Sequence, residues 1–326
     1  MAQISRKNSR LAIDGVLLLD KAAGGSSNDA LVQAKRALNA KKAGHTGTLD
    51  PFATGLLPLC FGEATKFAQD LLDADKTYET VVHLGLRTAT GDTEGEVLAS
   101  SPVRVNTADI EVVLARFRGP IEQIPPMHSA LKRDGKPLYE YARAGITLER
   151  AARAVTIHRL DVLDYQAPLL RLHVTCSKGT YIRVLGEDIG TALGCGAHLQ
   201  ALRRTAVGAL TVKQAITLEQ LAAQPASDRI RLLAPADTLI GTFPALHLPA
   251  ALAVRFLHGQ RLALGKEGLS IPAATGRMRV YAESGVFLGS ATLVEYGVLL
   301  PERLIATAPT ELGAASGAAA DIGPDA

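Results

Sequence analysis

The sequence predicts an α+β protein in two parts, a large mixed unit followed by a small β-barrel. Three observations carry this reading. The chain has 326 residues, enough for two units at roughly 100–200 residues each. Strand-like and helix-like stretches are mixed through about residue 242, whereas residues 244–305 hold short strand-like pieces separated by glycines. Hydrophobic residues make up 47% of the chain, so a sizeable core can form and global disorder is excluded.

The elements follow in order. Residues 1–14 are basic and aperiodic, and read as a flexible arm. Val16-Leu17-Leu18-Leu19 is an apolar run suited to a buried strand. After a loop from Asp20 to Gly25, Ser26 and Ser27 are placed to cap a helix, with Asp29 closing a capping box on Ser26. That helix buries Leu31, Ala34 and Leu38 and carries Lys35, Arg36, Lys41 and Lys42 at its end, where cations suit the helix dipole. Tyr78 to Leu84 reads as a strand and residues 90–95 as a turn. Ile110, Val113, Leu114 and Phe117 share a helical face. Val155–Val162 and Leu170–Cys176 form a strand pair around Ala167-Pro168. A helix is expected over Gly179–Leu193, with Ile182, Leu185, Ile189 and Leu193 inward. The second unit starts near Phe243, and residues 306–326, rich in Ala, Gly, Pro and Thr, read as a disordered tail.

Composition narrows the function classes. No apolar run reaches the ~18 residues that span a bilayer, and the polar, basic start lacks a signal-peptide core. A cytoplasmic protein is therefore expected. The three cysteines, Cys60, Cys176 and Cys195, form no CxxC pair, and the eight histidines show no zinc-ligand spacing. No structural metal is indicated. The net charge of +3 becomes +6 without the last 20 residues, a basic balance that permits a polyanionic partner.

Three segments carry candidate chemistry. Gly44-His45-Thr46-Gly47-Thr48-Leu49-Asp50-Pro51 is a glycine-flanked loop in which Pro51 drives Asp50 toward an extended conformation. Taken alone it suits a structural turn, and without a following Gly-Lys-Ser/Thr it is no P-loop. In the strand-loop-helix at residues 14–31, Lys21 and the free N–H groups of the helix start are placed to hold a phosphate. Cys176-Ser177-Lys178-Gly179-Thr180-Tyr181-Ile182-Arg183 is a strand-to-helix turn whose arginine would favour the ionised form of a nearby carboxylate.

In this order and at these separations, the segments resemble the TruB family of tRNA pseudouridine synthases. The resemblance runs from Gly15 to about Gly208. It takes in Ile124-Pro125-Pro126-Met127-His128-Ser129-Ala130-Leu131-Lys132, Tyr139-Glu140-Tyr141-Ala142-Arg143 and the Gly194–Arg204 segment. Two positions depart from the family pattern. Ala22 and Ala23 follow Lys21 where Pro is usual, and His128 stands where Tyr is common.

The resemblance implies a pseudouridine synthase catalytic fold over residues 15–242, with a central mixed, mainly antiparallel sheet flanked by helices. It also implies a PUA-like RNA-binding barrel over 243–305. The implied reaction isomerises the T-loop uridine of tRNA, position 55, with Asp50 as nucleophile. Attack at C1′, attack at C6 and a glycal route all remain open. Arg183 matches the arginine that pairs with this Asp, Tyr78 the tyrosine that stacks on the flipped base, and Tyr181 a second active-site tyrosine. Leu202 matches a pocket residue and His45 an RNA contact, with Asp20 and Lys21 in support. The isomerisation needs no cofactor. Lys132, Arg133, Lys136, Arg203 and Arg204 are placed to line the RNA path, although each suits a solvated surface as well.

The implied partner is the tRNA T-stem-loop alone, bound by a monomer without membrane, guide RNA or protein subunit. A dyskerin-like subunit of a guide-RNA complex is disfavoured by the lack of long basic extensions. The alternative class is a tRNA-folding chaperone with little or no catalysis. A hydrolase built on Asp50 would need a second placed carboxylate or a Ser-His pair.

Overall fold

The computed structural model describes residues 9–306; the start of the expected arm, residues 1–8, and all but the first residue of the expected tail lie outside that range. Strands β1 (Gly15–Lys21), β2 (Ala43–His45), β3 (Thr54–Phe61), β4 (Lys76–Leu84), β5 (Leu86–Thr88), β6 (Val97–Ser100) and β7 (Gly119–Gln123) alternate with helices α1 (Ser27–Ala37), α2 (Ala68–Leu72) and α3 (Thr107–Ala115). A small hairpin, β8 (Lys132–Arg133) and β9 (Lys136–Pro137), leads into α4 (Leu138–Arg143). Then come β10 (Arg153–Gln166), β11 (Leu169–Cys176), α5 (Ile182–Ala192), β12 (Ala197–Val207), β13 (Leu210–Thr211) and α6 (Leu218–Ala223). The last unit holds β14 (Ala245–Leu248), α7 (Ala250–Leu257), β15 (Leu262–Ala263), β16 (Gly276–Ala282), β17 (Phe287–Val294) and β18 (Val298–Leu304).

The large sheet runs β1-β3-β12-β4-β11-β10-β7, with β2 on β3 and β13 on β12. Every neighbour pair is antiparallel except β12 with β3, so the sheet is mixed and mainly antiparallel, as the resemblance implied. Its two ends differ in burial. Strands β1 and β3 are covered on both faces, which is why Val16–Leu19 is apolar throughout. Strand β4 alternates buried and open residues because one face is uncovered. Leu17, Leu59, Val82, Leu172 and Leu199 pack beneath Ala34, Leu114, Leu185 and Ile189 of the helices on the covered face.

Local reasons for the elements are plain. Asp29 accepts from the Ser26 amide, and Ser26 Oγ accepts from the Asp29 amide, so the expected capping box starts α1. Residues 11–14 are not a free arm. The Leu11 amide donates to Asn39, Lys41 donates back to Leu11, and Asp14 takes the Glu63 amide. Helix α5 begins at Ile182 rather than Gly179, because Gly179 has a φ of +81° and Tyr181 is extended.

The main departure is β12. Ala197-His198-Leu199-Gln200-Ala201-Leu202-Arg203-Arg204 is rich in helix-favouring residues. It is an interior strand of the large sheet, between β3 and β4. Register shifts at Leu199/Ala201 and Arg204/Ala206 break the alternation that would betray a strand. Gly55 permits its parallel contact with β3: at φ +104°, a Cβ there would meet the Arg204 carbonyl oxygen at 2.2 Å.

The second unit is a curled five-stranded sheet, β14-β16-β17-β18-β15, closed over Leu252, Phe256, Met278 and Leu293. It docks on the segment before and through α2. Phe287 packs on Phe67 at 5.4 Å, and Lys66 Nζ donates to Leu304 O at 2.7 Å. The Asp70 carboxylate, itself buried, takes Arg303 at 2.9 Å and Arg277 on its other oxygen. Removing a carboxylate that holds two half-buried guanidiniums leaves both short of a partner. Asp70→Ala is expected to destabilise the protein by about 1–3 kcal/mol, read as a lower calorimetric Tm with an earlier transition in the C-terminal unit.

Candidate active site

The Gly44–Pro51 segment is a built loop. Gly47 has a φ of +113°. Beneath the loop, Ser27 Oγ donates to Leu49 O at 3.0 Å and accepts the Leu49 amide at 2.7 Å. Ser27, read from sequence as part of a helix cap, therefore clamps the loop, while Ser26 alone caps. Arg204 lies under the same loop, 1% exposed, and donates to Leu56 O at 2.8 Å and to the Thr48 and Gly47 carbonyls at 3.3 and 3.4 Å. It is neither a surface charge nor a phosphate contact.

Lys21 is also turned inward. Its Nζ donates to the carbonyls of Ala22, Pro51 and Ala53 at 2.8, 3.2 and 2.8 Å. An ammonium has three N–H groups, so none is left for a phosphate. Burial pulls the Lys21 pKa down, and Asp50 and Glu94 oppose that pull. Asp20 pairs with Arg203 through both carboxylate oxygens, at 3.0 and 2.6 Å. Lys21 thus anchors the end of the loop from outside the cleft, and Asp20 pairs with Arg203 alone.

The carboxylate of Asp50 meets Arg183, 133 residues later. Arg183 Nε and Nη2 donate to the two Asp50 oxygens at 2.9 and 3.3 Å, the bidentate geometry of strong carboxylate pairing. The rest of the fork is filled too. Nη1 donates to Thr90 O at 3.0 Å, Nη2 donates to His128 O at 2.7 Å, and Asp92 stands 3.6 Å from Nε. Asp92, buried and held by Thr90 Oγ1 and the Glu94 amide, was hidden in a segment read only as a turn.

Arg183 is 5% exposed, whereas a third of the Asp50 side chain remains open. Burial raises the Asp50 pKa above its ordinary value; Arg183 pulls it down and Asp92 pushes it further up, and the net direction is upward. Arg183 depresses this pKa as expected, but burial outweighs it.

Asp50 opens on a cleft of about 340 Å³ walled by Tyr78, Tyr181, Leu202, Ser129 and Lys76. Tyr78 comes from β4 and Leu202 from β12, whose residues 80 and 202 are register partners. Tyr181 is fixed through its backbone: its amide donates to Gln123 Oε1 at 3.0 Å and its carbonyl accepts from Gln123 Nε2 at 3.3 Å. Burial pushes the Tyr78 hydroxyl up to about 12 and raises that of Tyr181, so both are neutral phenols at pH 7. Lys76, missed in the sequence, is brought down to about 8 by burial and then by Arg204.

His45 is not in the cleft wall. It lies on β2 with a buried, unpartnered Nδ1, and burial then Arg204 lower its pKa, which makes it neutral at pH 7. The exposed β8–β9 hairpin carries Lys132, Arg133 and Lys136. A larger cavity of about 670 Å³ is lined by Thr90 and His128, two of the residues whose carbonyls accept from Arg183, and lacks Asp50.

Fold and cleft together define a pseudouridine synthase. The family model described as TruB family pseudouridylate synthase (N terminal domain) matches residues 35–182. Two further models, tRNA pseudouridylate synthase B C-terminal domain and Pseudouridine synthase II TruB, C-terminal, match 183–240 and 244–305. The chain belongs to the TruB family.

The chain is 61% identical over 306 residues to the tRNA pseudouridine synthase B of Ralstonia nicotianae, covering 92% of this chain and 96% of that one. It is 61% identical over 300 residues to the protein of that name in Burkholderia mallei, covering 92% and 99%. In fold it is similar to a chain of a Cbf5-Nop10-Gar1 complex, with a TM-score of 0.68 and 25% identity over 89% of this chain and 84% of that one. A chain from an H/ACA RNP bound to a substrate RNA containing 2′-deoxyuridine shares the fold at a TM-score of 0.67 and 24% identity, with the same coverage. Among the described residues no helix is long and apolar enough to cross a membrane.

Lys21 gives a direct test of loop anchoring. Lys21→Met leaves three carbonyls without their charged donor and is expected to lower stability by about 2 kcal/mol in urea unfolding. A variant as stable as wild type would return Lys21 to the role of a free cation.

Proposed function

We propose that this chain converts the T-loop uridine of tRNA, position 55, to pseudouridine, with Asp50 as the nucleophile. The observation that carries the reading is the bidentate Asp50–Arg183 pair at the head of a cleft walled by Tyr78, Tyr181 and Leu202. The substrate follows from the relatives, whose name is tRNA pseudouridine synthase B.

The chemistry sets what each group does. A stacked uridine is out of reach, so the base is extruded, at a few kcal/mol. A neutral tyrosine face offsets that cost by ~1–3 kcal/mol of stacking. Tyr78 supplies this face, and Leu202 closes the apolar side of the pocket. Asp50 then acts as an anion, at C1′, at C6 or in forming a glycal, and Arg183 holds its oxygens in place. The glycosidic bond breaks, the uracil turns, and a C–C bond forms from C5 to the sugar. Atoms and electrons balance within the nucleotide, so no cofactor enters. Residues 15–242 carry this chemistry, and residues 243–305 serve as a PUA-like RNA-binding unit. The enzyme works on free tRNA as a cytoplasmic monomer, without guide RNA or protein subunit.

Asp50→Asn keeps the side chain's shape and one acceptor for Arg183 while removing the anion and the second acceptor. It is expected to cut pseudouridine formation on a tRNA transcript by ~1,000-fold or more while tRNA binding persists. Normal turnover by this variant would refute the assignment.

The pH profile supplies a second test. The Asp50 pKa lies above the ordinary carboxylate value, and the ionised form is the active one. Activity therefore falls as pH drops through that pKa. Arg183 opposes the rise, so Arg183→Met should move the acid limb of kcat/KM to higher pH. An unmoved limb would separate Asp50 ionisation from the rate.

A further inference from the structure

The stretch from Gln123 to Ser129 runs beside the start of α5 and holds it at two closed points. Buried Gln123 uses its side-chain oxygen and nitrogen on the Tyr181 amide and carbonyl, at 3.0 and 3.3 Å. Further along, the His128 carbonyl accepts from Arg183 Nη2 at 2.7 Å. Ser129 makes a third approach, and this one is still open. Its backbone is fixed: the amide donates to Met127 O at 2.9 Å, and the carbonyl accepts the Tyr139 amide at 3.1 Å. The residue is 6% exposed, and its Oγ is buried without closing a hydrogen bond. A hydroxyl shut off from water and left unpartnered is costly, so its place calls for a reason.

The neighbour of that hydroxyl supplies the reason. Ser129 and Tyr181 both wall the cleft that holds Asp50. Burial raises the Tyr181 pKa; the Ser129 side chain leads the groups that pull it back, ahead of Arg153 and Arg183, while Asp50 adds to the rise. The two hydroxyls therefore face each other in the cleft wall. A group that lowers the pKa of a phenol favours the phenolate, so the serine acts as donor to the phenol oxygen. Hydrogen bonds of this kind are often long until substrate binds and then tighten.

The direction of donation decides what Tyr181 can do. With Ser129 as donor, the Tyr181 O–H stays free for whatever fills the cleft; the reverse order would spend that O–H on the serine. Tyr78 follows the same rule with a different partner. Its hydroxyl meets the Arg204 guanidinium, which can only donate. Each tyrosine of the cleft thus has a donor at its oxygen and an O–H to offer.

We propose that Ser129 is a positioning residue for Tyr181: its Oγ donates to the phenol oxygen and holds the Tyr181 O–H toward the flipped uracil. This rests on the proposed uridine isomerisation. The test is single-turnover pseudouridine formation on a tRNA transcript, with the Kd for the same tRNA. The proteins are wild type, Ser129→Ala, Ser129→Thr, Tyr181→Phe and the double variant Ser129→Ala/Tyr181→Phe. Ser129→Ala should cut the rate constant about tenfold, the worth of one neutral hydrogen bond, and leave Kd unchanged. Ser129→Thr keeps the hydroxyl and should recover most of that loss. In the Tyr181→Phe background the serine has no phenol to hold, so adding Ser129→Ala should cost no further rate. The proposal is overturned if Ser129→Ala turns over like wild type, if its loss appears in Kd instead, or if Ser129→Thr is as slow as Ser129→Ala. It is equally overturned if Ser129→Ala slows Tyr181→Phe by the factor it costs wild type. A wild type that makes no pseudouridine defeats the proposed function and this assignment with it, whereas an active wild type beside an unimpaired Ser129→Ala defeats this assignment alone.

Discussion

One buried guanidinium organises the catalytic end of this protein. Arg183 sits at the start of α5 and donates to Asp50, Thr90 and His128. These acceptors belong to three separate segments: the loop before β3, the turn between β5 and β6, and the stretch before the β8–β9 hairpin. A cation that is 5% exposed requires partners on all its donors, so the segments are drawn to it and held. Asp92 balances the charge from the buried side, and Asp50 balances it from the cleft side. The open carboxylate is thus the outer half of a buried ionic arrangement.

The rest of the loop is held by backbone capture. Lys21, Arg204 and Ser27 all act on main-chain groups within residues 47–56, and Arg204 also reaches the hydroxyl of Tyr78 in the cleft wall. Such anchoring fixes the direction of Asp50 without crowding the cleft. It also concentrates positive charge beneath a carboxylate whose pKa burial has raised. The loop is therefore electrostatically opposed to the burial it imposes, and this keeps an anion available at a site with restricted water.

Much of the local structure was legible in the residues. Ser26 and Asp29 announce the start of α1, Val16–Leu19 reads as doubly covered, and Ala167-Pro168 marks the β10–β11 turn. The glycine-spaced strands after Phe243 announce a second sheet. Asp50 and Arg183 were legible as a pair only through family resemblance, because nothing local links residues 133 apart. What escaped was set by tertiary context. Strand β12 has helix-favouring residues and two register shifts, so its period is erased. Asp92 resembles any turn aspartate until Arg183 is beside it. Lys21 and Arg204 were read as outward because lysine and arginine usually are, and only the density of free carbonyls around the loop turns them inward.

The place of β12 in the sheet has a consequence in time. It lies between β3 and β4, yet it is made after every other strand of the seven-strand path. Until it is in place, the β1–β3 pair and the β4–β11–β10–β7 set share no strand ladder, and Arg183 is what links the loop before β3 to the turn after β5. Arg204 and Leu202 arrive together on that strand, so loop support and one cleft wall come with the act that joins the halves. The cleft wall is therefore complete only once β12 has joined the two parts of the sheet.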